Sequence, residues 1–153
     1  MVANYIGVEL FQKRIVDLCL RSGLKDFPSK HQDQLIILKS IANLFVENKV
    51  YPEIQVNQII KLWLSEVSYF SGWDFMMLRR RLIDEKFLTR NPDGSGYWLC
   101  PIDPSGIVFD PGIRATDIRE ILSVGQKIIV DRKAHYLKEI HQGMRDSNED
   151  SGF

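Results

Sequence analysis

The stretch "DFMMLRRRLIDEKFLTRNPDGSGYW", residues 74–98, decides the fold of this chain. Its first half has helical spacing: at about 100° per residue, Phe75, Leu78 and Leu82 fall on one narrow stripe that belongs in a core. Its second half holds "KFLTR" and begins a second short run, "YWLC" (97–100), both rich in aromatic and branched residues. Between them, "NPDGSG" supplies turn chemistry. Pro92 presets one backbone angle, and Asp93-Gly94 offers a polar and a left-handed position. The stretch therefore predicts a helix running into a β-hairpin. Ser71, three residues before Asp74, resembles a capping box in which Asp replaces the usual Glu.

The same spacing fixes where the three consecutive arginines point. Arg80 faces nearly straight away from the core stripe, and Arg79 and Arg81 flank it on opposite sides. The outward face then reads Trp73, Met77, Arg80 and Asp84, with Met76 and Ile83 at one edge. Two functional readings compete with simple solvation or pairing to Asp74, Asp84 or Glu85. In the first, Arg80 meets a base edge in a DNA major groove, Arg79 or Arg81 meets phosphates, and Arg90 at the strand end adds a cation. In the second, Trp73 and Met77 anchor a protein partner, because large apolar side chains on an outward face suit a protein surface. Asp93 at the hairpin tip reads as turn chemistry.

Outward from this segment the pattern stays helical. Tyr5, Val8, Phe11, Ile15 and Leu18 recur at helical spacing, with Gly23 as a plausible C-terminal glycine. Pro28 breaks that pattern. A second helix is expected over residues 30–48, where Leu35, Leu38, Ala42 and Phe45 form one stripe beside Ile37, Ile41 and Leu44. So wide an apolar arc implies burial on more than one side. "KVY" reads as a short strand. Pro52 suits the first position of a third helix, with Glu53 in its first turn and Val56, Ile59, Ile60 and Trp63 facing inward.

This order of helix, strand, helix, turn, helix and hairpin describes a winged helix-turn-helix. The expected class is mainly α with a small β-hairpin (α+β), a winged helix-turn-helix core carrying added N- and C-terminal helices. Residues 27–98 also resemble a bacterial family known only as a domain of unknown function, found alone or fused behind ArsR-type repressor domains. The resemblance rests on "FPSK", "YPEIQVNQIIKLWL", "DFMMLRRRLIDEKFLTR" and "DGSGYW". It implies transcriptional regulation and brings no catalytic residue and no ligand.

Four segments are expected: an N-terminal helix over residues 1–24, the winged helix-turn-helix over 25–102, a connector and long helix over 103–144, and a disordered polar tail over 145–153. With 44% hydrophobic and 26% charged residues, the 153-residue chain is composed like a folded domain. It has no run of about 18 apolar residues, so no membrane partner is expected. The N-terminus, broken by Glu9, Lys13, Arg14 and Asp17, is unlike a signal peptide. Cys19 and Cys100 are too few for a disulfide framework, and two reduced thiols point to the cytoplasm. Net charge is zero, and residues 1–24, 25–102 and 103–153 carry +1, +1 and −2. That balance gives no bulk support to DNA binding, which rests on cations meeting phosphates.

His31, His135 and His141 lack ligand spacing, no nucleophile has a recognisable base, and "DGSG" joins strands instead of opening a helix. No enzyme activity, metal or cofactor is expected. In the last helix Ile118, Leu122, Ile129, Tyr136 and Ile140 recur at near-heptad spacing. A helix of about 27 residues would be about 40 Å long, longer than the domain beside it, so a homodimer through the terminal helices is expected. The leading reading is a cytoplasmic, dimeric, DNA-binding regulator. The alternative is a winged-helix adaptor that binds protein without DNA.

Overall fold

The structure, a computed structural model, describes residues 4–21, 26–67 and 73–150. It is mainly helical, with five α-helices, a small antiparallel hairpin and one further pair of short strands. Expected features at Gly23 and Ser71 lie outside the described residues.

The helix α2 (His31–Ala42) buries Leu35, Ile36, Ile37, Leu38, Ile41 and Ala42, the multi-sided burial that its wide apolar arc predicts. It ends at Ala42, short of the expected residue 48. Leu44 and Phe45 there donate to Ile41 and Ala42, each three residues back at 3.0 Å, which tightens and closes the last turn. A remote side chain completes the closure. Arg114 Nη1 donates to the Ala42 carbonyl at 3.2 Å, and Nη2 donates to Phe45 O. That guanidinium adds a second donor to the Ala42 carbonyl, which already accepts from the Phe45 amide, and supplies one to Phe45 O just past the helix end.

The helix α3 (Glu53–Glu66) starts one residue after Pro52, which is its N-cap and not its first turn. Val56, Ile60 and Trp63 are its buried stripe, and Trp63 Nε1 donates to Ser40 Oγ of α2 at 3.0 Å. The helix α4 (Phe75–Asp84) packs on α3, burying Leu78 and Leu82 as the stripe requires. Then β2 (Leu88–Arg90) and β3 (Tyr97–Leu99) pair antiparallel, Leu88 opposite Leu99 and Arg90 opposite Tyr97. The expected "KVY" strand is reduced to one residue. Tyr51 and Tyr97 exchange both backbone bonds, at 2.7 and 2.8 Å, which places Tyr51 beside β3 on the side away from β2.

The chain's two ends meet in a way the sequence reading missed. Residues 4–6, expected to be entering a helix, form the strand β1 (Asn4–Ile6). It pairs parallel with β4 (Ile107–Phe109) inside the expected connector. Three-residue strands give almost no alternation to read, and only the pairing across about a hundred residues makes them strands. Helix α1 (Val8–Val16), continued by a π-helical segment Asp17–Arg21, is held against α2 by Arg14. Its Nε and Nη2 meet the two oxygens of buried Asp33 at 3.1 and 3.0 Å. One cluster of buried apolar side chains joins Ile6, Phe11 and Ile15 to α2, α3, α4, the hairpin and the start of α5.

A 3-10 turn (Pro111–Ala115) leads into α5 (Ile118–Asp150), 33 residues and about 50 Å long. It runs past residue 144, the boundary expected for the tail. Ile118, Ile121 and Leu122 are buried. Gly125 lies so close to α1 that a Cβ there would stand 2.6 Å from Val16 Cγ2. Residues 130–139 are exposed along their whole length.

Candidate nucleic-acid interface

The surface to test is α4 with the hairpin that follows. Asp74 caps α4: its Oδ1 accepts from the Met77 amide at 2.7 Å. The helix therefore starts at Phe75, and Trp73 is not on its outward face. Trp73 is buried, 7% exposed, lying flat against Trp63 (centroids 6.2 Å apart, planes 2° apart) and tilted on Phe27 at 5.0 Å. Met77 is half-buried against the core. The expected pair of partner anchors, Trp73 and Met77, is thus largely withdrawn from the surface. Phe75 is also only half-buried, with the Lys61 ammonium 4.4 Å from its ring centre. The outward row of α4 is Met76, Arg80 and Asp84, each exposed and each four residues from the next.

The three arginines divide as their angles predict. Arg79 turns back onto α3, where Nη1 donates to Asn57 Oδ1 at 2.5 Å and Nη2 lies 3.5 Å from Glu53 Oε1. The same Glu53 carboxylate accepts from the Tyr97 hydroxyl at 2.9 Å, so one network ties α4, α3 and β3 together. Burial first, and then the Glu53 carboxylate, raises the Tyr97 phenol above its usual range. Sequence reasoning did not find this network, although Glu53 directly follows the Tyr51-Pro52 pair that brings the chain to β3. Arg81 packs on the other side, its guanidinium carbon 4.4 Å from the Phe27 ring centre. Arg80 alone is exposed, and no described residue hydrogen-bonds to it or pairs with it.

The charges around Arg80 are mixed. Asp74, Asp84 and Glu85 share an open depression with Met76, Met77 and Arg80. Glu85 faces the His31 imidazole at 3.0 Å. On the hairpin, Arg90 is exposed at the end of β2, and Lys86 is exposed in the turn before it. At the hairpin tip Asp93 Oδ1 accepts from the Ser95 amide at 2.9 Å, and that bond lowers the carboxyl below its ordinary range. The tip stays anionic at neutral pH. Gly94 has the left-handed φ of 76° expected from "DG". Gly96 matters for another reason: a Cβ would stand 2.8 Å from Val50 Cγ1, so that side chain would have to move.

No group of three or more His, Cys, Asp or Glu side chains among the described residues could hold a metal ion. No helix among them is long and apolar enough to cross a membrane.

A family model described as "Uncharacterized protein conserved in bacteria (DUF2087)" matches residues 23–99, half of the chain. The chain belongs to this family. The DUF2087 segment takes in α2, α3, α4 and the hairpin through Leu99, and so contains the whole Arg79–Glu53–Tyr97 network and Arg80. The strands β1 and β4 and the helices α1 and α5 lie outside it. No curated protein and no solved structure matches the chain.

Proposed function

We propose that the DUF2087 segment is a winged helix-turn-helix and that the protein is a DNA-binding transcriptional regulator, with α4 entering the major groove and the hairpin as its wing. The observation that carries this reading is Arg80. It stands in the middle of the outward row of the last helix before the hairpin, and meeting a guanine edge would break no existing pair. The placement of Tyr51 beside β3 supports the same reading, since it puts one bridged residue from between α2 and α3 next to the wing. Resemblance to a family fused behind ArsR-type repressor domains supports the regulatory role.

The roles narrow from those read in the sequence. Arg79 and Arg81 already hold Asn57, Glu53 and Phe27, so they shape α4 instead of meeting phosphates. Lys86 and Arg90 are the cations left for the backbone. With about two phosphates neutralised, affinity should fall with salt along a log–log slope near −2, shallow for a DNA-binding protein. The test is anisotropy of a labelled random-duplex pool with the full chain at low salt, followed by selection of the preferred site. Arg80→Ala is expected to weaken the selected site by about 1–3 kcal/mol, roughly 5- to 150-fold. Absence of duplex binding at low salt would refute the proposal.

One observation favours a second reading, a protein-docking adaptor. Asp74, Asp84 and Glu85 line the same open depression as Arg80 and Arg81, and Met76 there is 55% exposed. Carboxylates repel a phosphate backbone, but they and a methionine suit a basic and apolar protein surface. Under that reading Arg80→Ala and Met76→Ala weaken a captured partner together, and duplex DNA does not compete.

A further inference from the structure

The distal half of α5 leaves the domain with an apolar row intact. Val124, Ile128, Tyr136, Ile140 and Met144 stand at four-residue steps, interrupted only by Arg132. Each step advances about 40° around the helix, so Ile128, Arg132, Tyr136 and Ile140 keep within a face about 120° wide that can meet one neighbouring helix, with Val124 and Met144 at its edges. Val124, Ile128, Tyr136 and Met144 are between 44% and 62% exposed. The cover that α1 provides stops near Gly125, where Val16 touches the helix, and residues 126–144 project about 28 Å beyond it.

A receptor for such a row lies at the helix's own base. Between α1 and α5 is a groove of about 500 Å³ floored by Val16, Ala115, Ile121, Val124 and Ile128. Four carboxylates line it, Glu9, Asp17, Asp117 and Glu120, against the cations Lys13 and Arg132. Residues 126–144 carry the opposite balance: Lys127, Arg132, Lys133 and Lys138 against Asp131 and Glu139. An acidic, apolar-floored groove fits a basic amphipathic helix. This chain contains one, but a continuous helix cannot fold back on itself.

We infer that a second copy of this chain fills the groove, the two α5 helices pairing antiparallel about a two-fold axis. With the axis beside residue 134, Ile128 faces Ile140 of the second copy and Arg132 lies over its Tyr136. Each contact occurs twice, as a two-fold interface requires. Arg132, the one charge in the row, then meets an aromatic face and not its own copy, a cation–π contact. One side of a projecting helix about 28 Å long and about 10 Å wide, with the groove given in return, amounts to about 600 Å² per copy. The total of about 1,200 Å² is at the lower edge of specific interfaces. This inference stands on α5 and its groove with α1 and does not depend on DNA binding.

The experiment is light scattering of the full chain at high micromolar concentration, with circular dichroism to check folding. Wild type is expected at twice 17.8 kDa. Ile128→Asp and Ile140→Asp should each raise the dissociation constant about tenfold or more while leaving the melt unchanged. Val130→Asp, equally exposed on the opposite face at 52%, should leave the dimer intact. Tyr136→Phe should dimerise like wild type, whereas Tyr136→Lys should not, because it sets two cations together. A monomeric wild type would overturn the inference, as would dissociation by Val130→Asp. A dimer indifferent to Tyr136→Lys would overturn the pairing of Arg132 with Tyr136.

Discussion

Replacing Trp73 with alanine tests the geometry of the whole DUF2087 segment. Were Trp73 on the outward face of α4, its loss would change stability by no more than about 0.5 kcal/mol, as for most surface substitutions. In the structure it is 7% exposed, stacked on Trp63 and tilted on Phe27. Removing a buried tryptophan costs about 3–5 kcal/mol. Two aromatic contacts, each contributing about 0.5–1.5 kcal/mol beyond burial, put this site in the upper half of that range. For a chain of this size each kcal/mol moves the melting temperature by about 2–4 °C, so the expected drop is about 8–20 °C. The loss should also reach the surface, because Phe27, backed by Trp73, is the ring on which Arg81 rests. Thermal unfolding followed by far-ultraviolet circular dichroism measures the drop, and the near-ultraviolet band of the stacked Trp63–Trp73 pair should vanish with it. A melting temperature within about 3 °C of wild type would refute the buried placement and restore Trp73 as a surface anchor.

Arg79→Ala is expected to destabilise the fold by about 1.5–3 kcal/mol, the range for hydrogen bonds to charged groups, since it strips Asn57 and Glu53 of their partner. Arg80→Ala should stay within about 0.5 kcal/mol, and urea melts of the two variants give the contrast directly. Equal losses would show that the three arginines are not divided as described. A pH effect follows from Cys19, whose thiol burial pushes up from 9.0 to about 12. Because the folded state keeps its proton longer than the unfolded chain, this stabilisation is complete below pH 9 and disappears as pH rises toward 12. It amounts to at most about 4 kcal/mol. Tyr97, also raised, adds a loss of the same sign. Cys19→Ala should flatten the fall in melting temperature above pH 9, and an unchanged pH profile would refute it.

The sequence made the angles of α4 legible and left its neighbours hidden. Helical spacing alone put Leu78 and Leu82 inside, Arg80 outside, and Arg79 and Arg81 on opposite flanks, and the structure has them so. The turn chemistry of "NPDGSG" likewise located the hairpin. Trp73 went wrong for a specific reason. Extending the helical angle back to it assumes a helix already running at that residue, whereas Asp74, itself extended, caps the helix that starts at Phe75. The pairing of β1 with β4 was hidden because its two halves are three residues each and about a hundred apart. The site was hidden in the same way. Arg79 meets residues on α3, and Arg81 meets a phenylalanine before α2, partners that no local pattern names. A run of three arginines looks like a patch of three charges only while its flanks are taken to be free. Here packing takes two of them, Asp74, Asp84 and Glu85 line the same open depression as the third, and the anionic Asp93 holds the hairpin tip. Under the proposed reading, α4 would be recognised chiefly through the Arg80 guanidinium and its apolar neighbour Met76, with long-range attraction contributing little. Such a face gains most from being presented twice, because two weak sites on one rigid particle bind a two-fold target far more tightly than either alone. In the proposed dimer, the protruding α5 is the element that would present it twice.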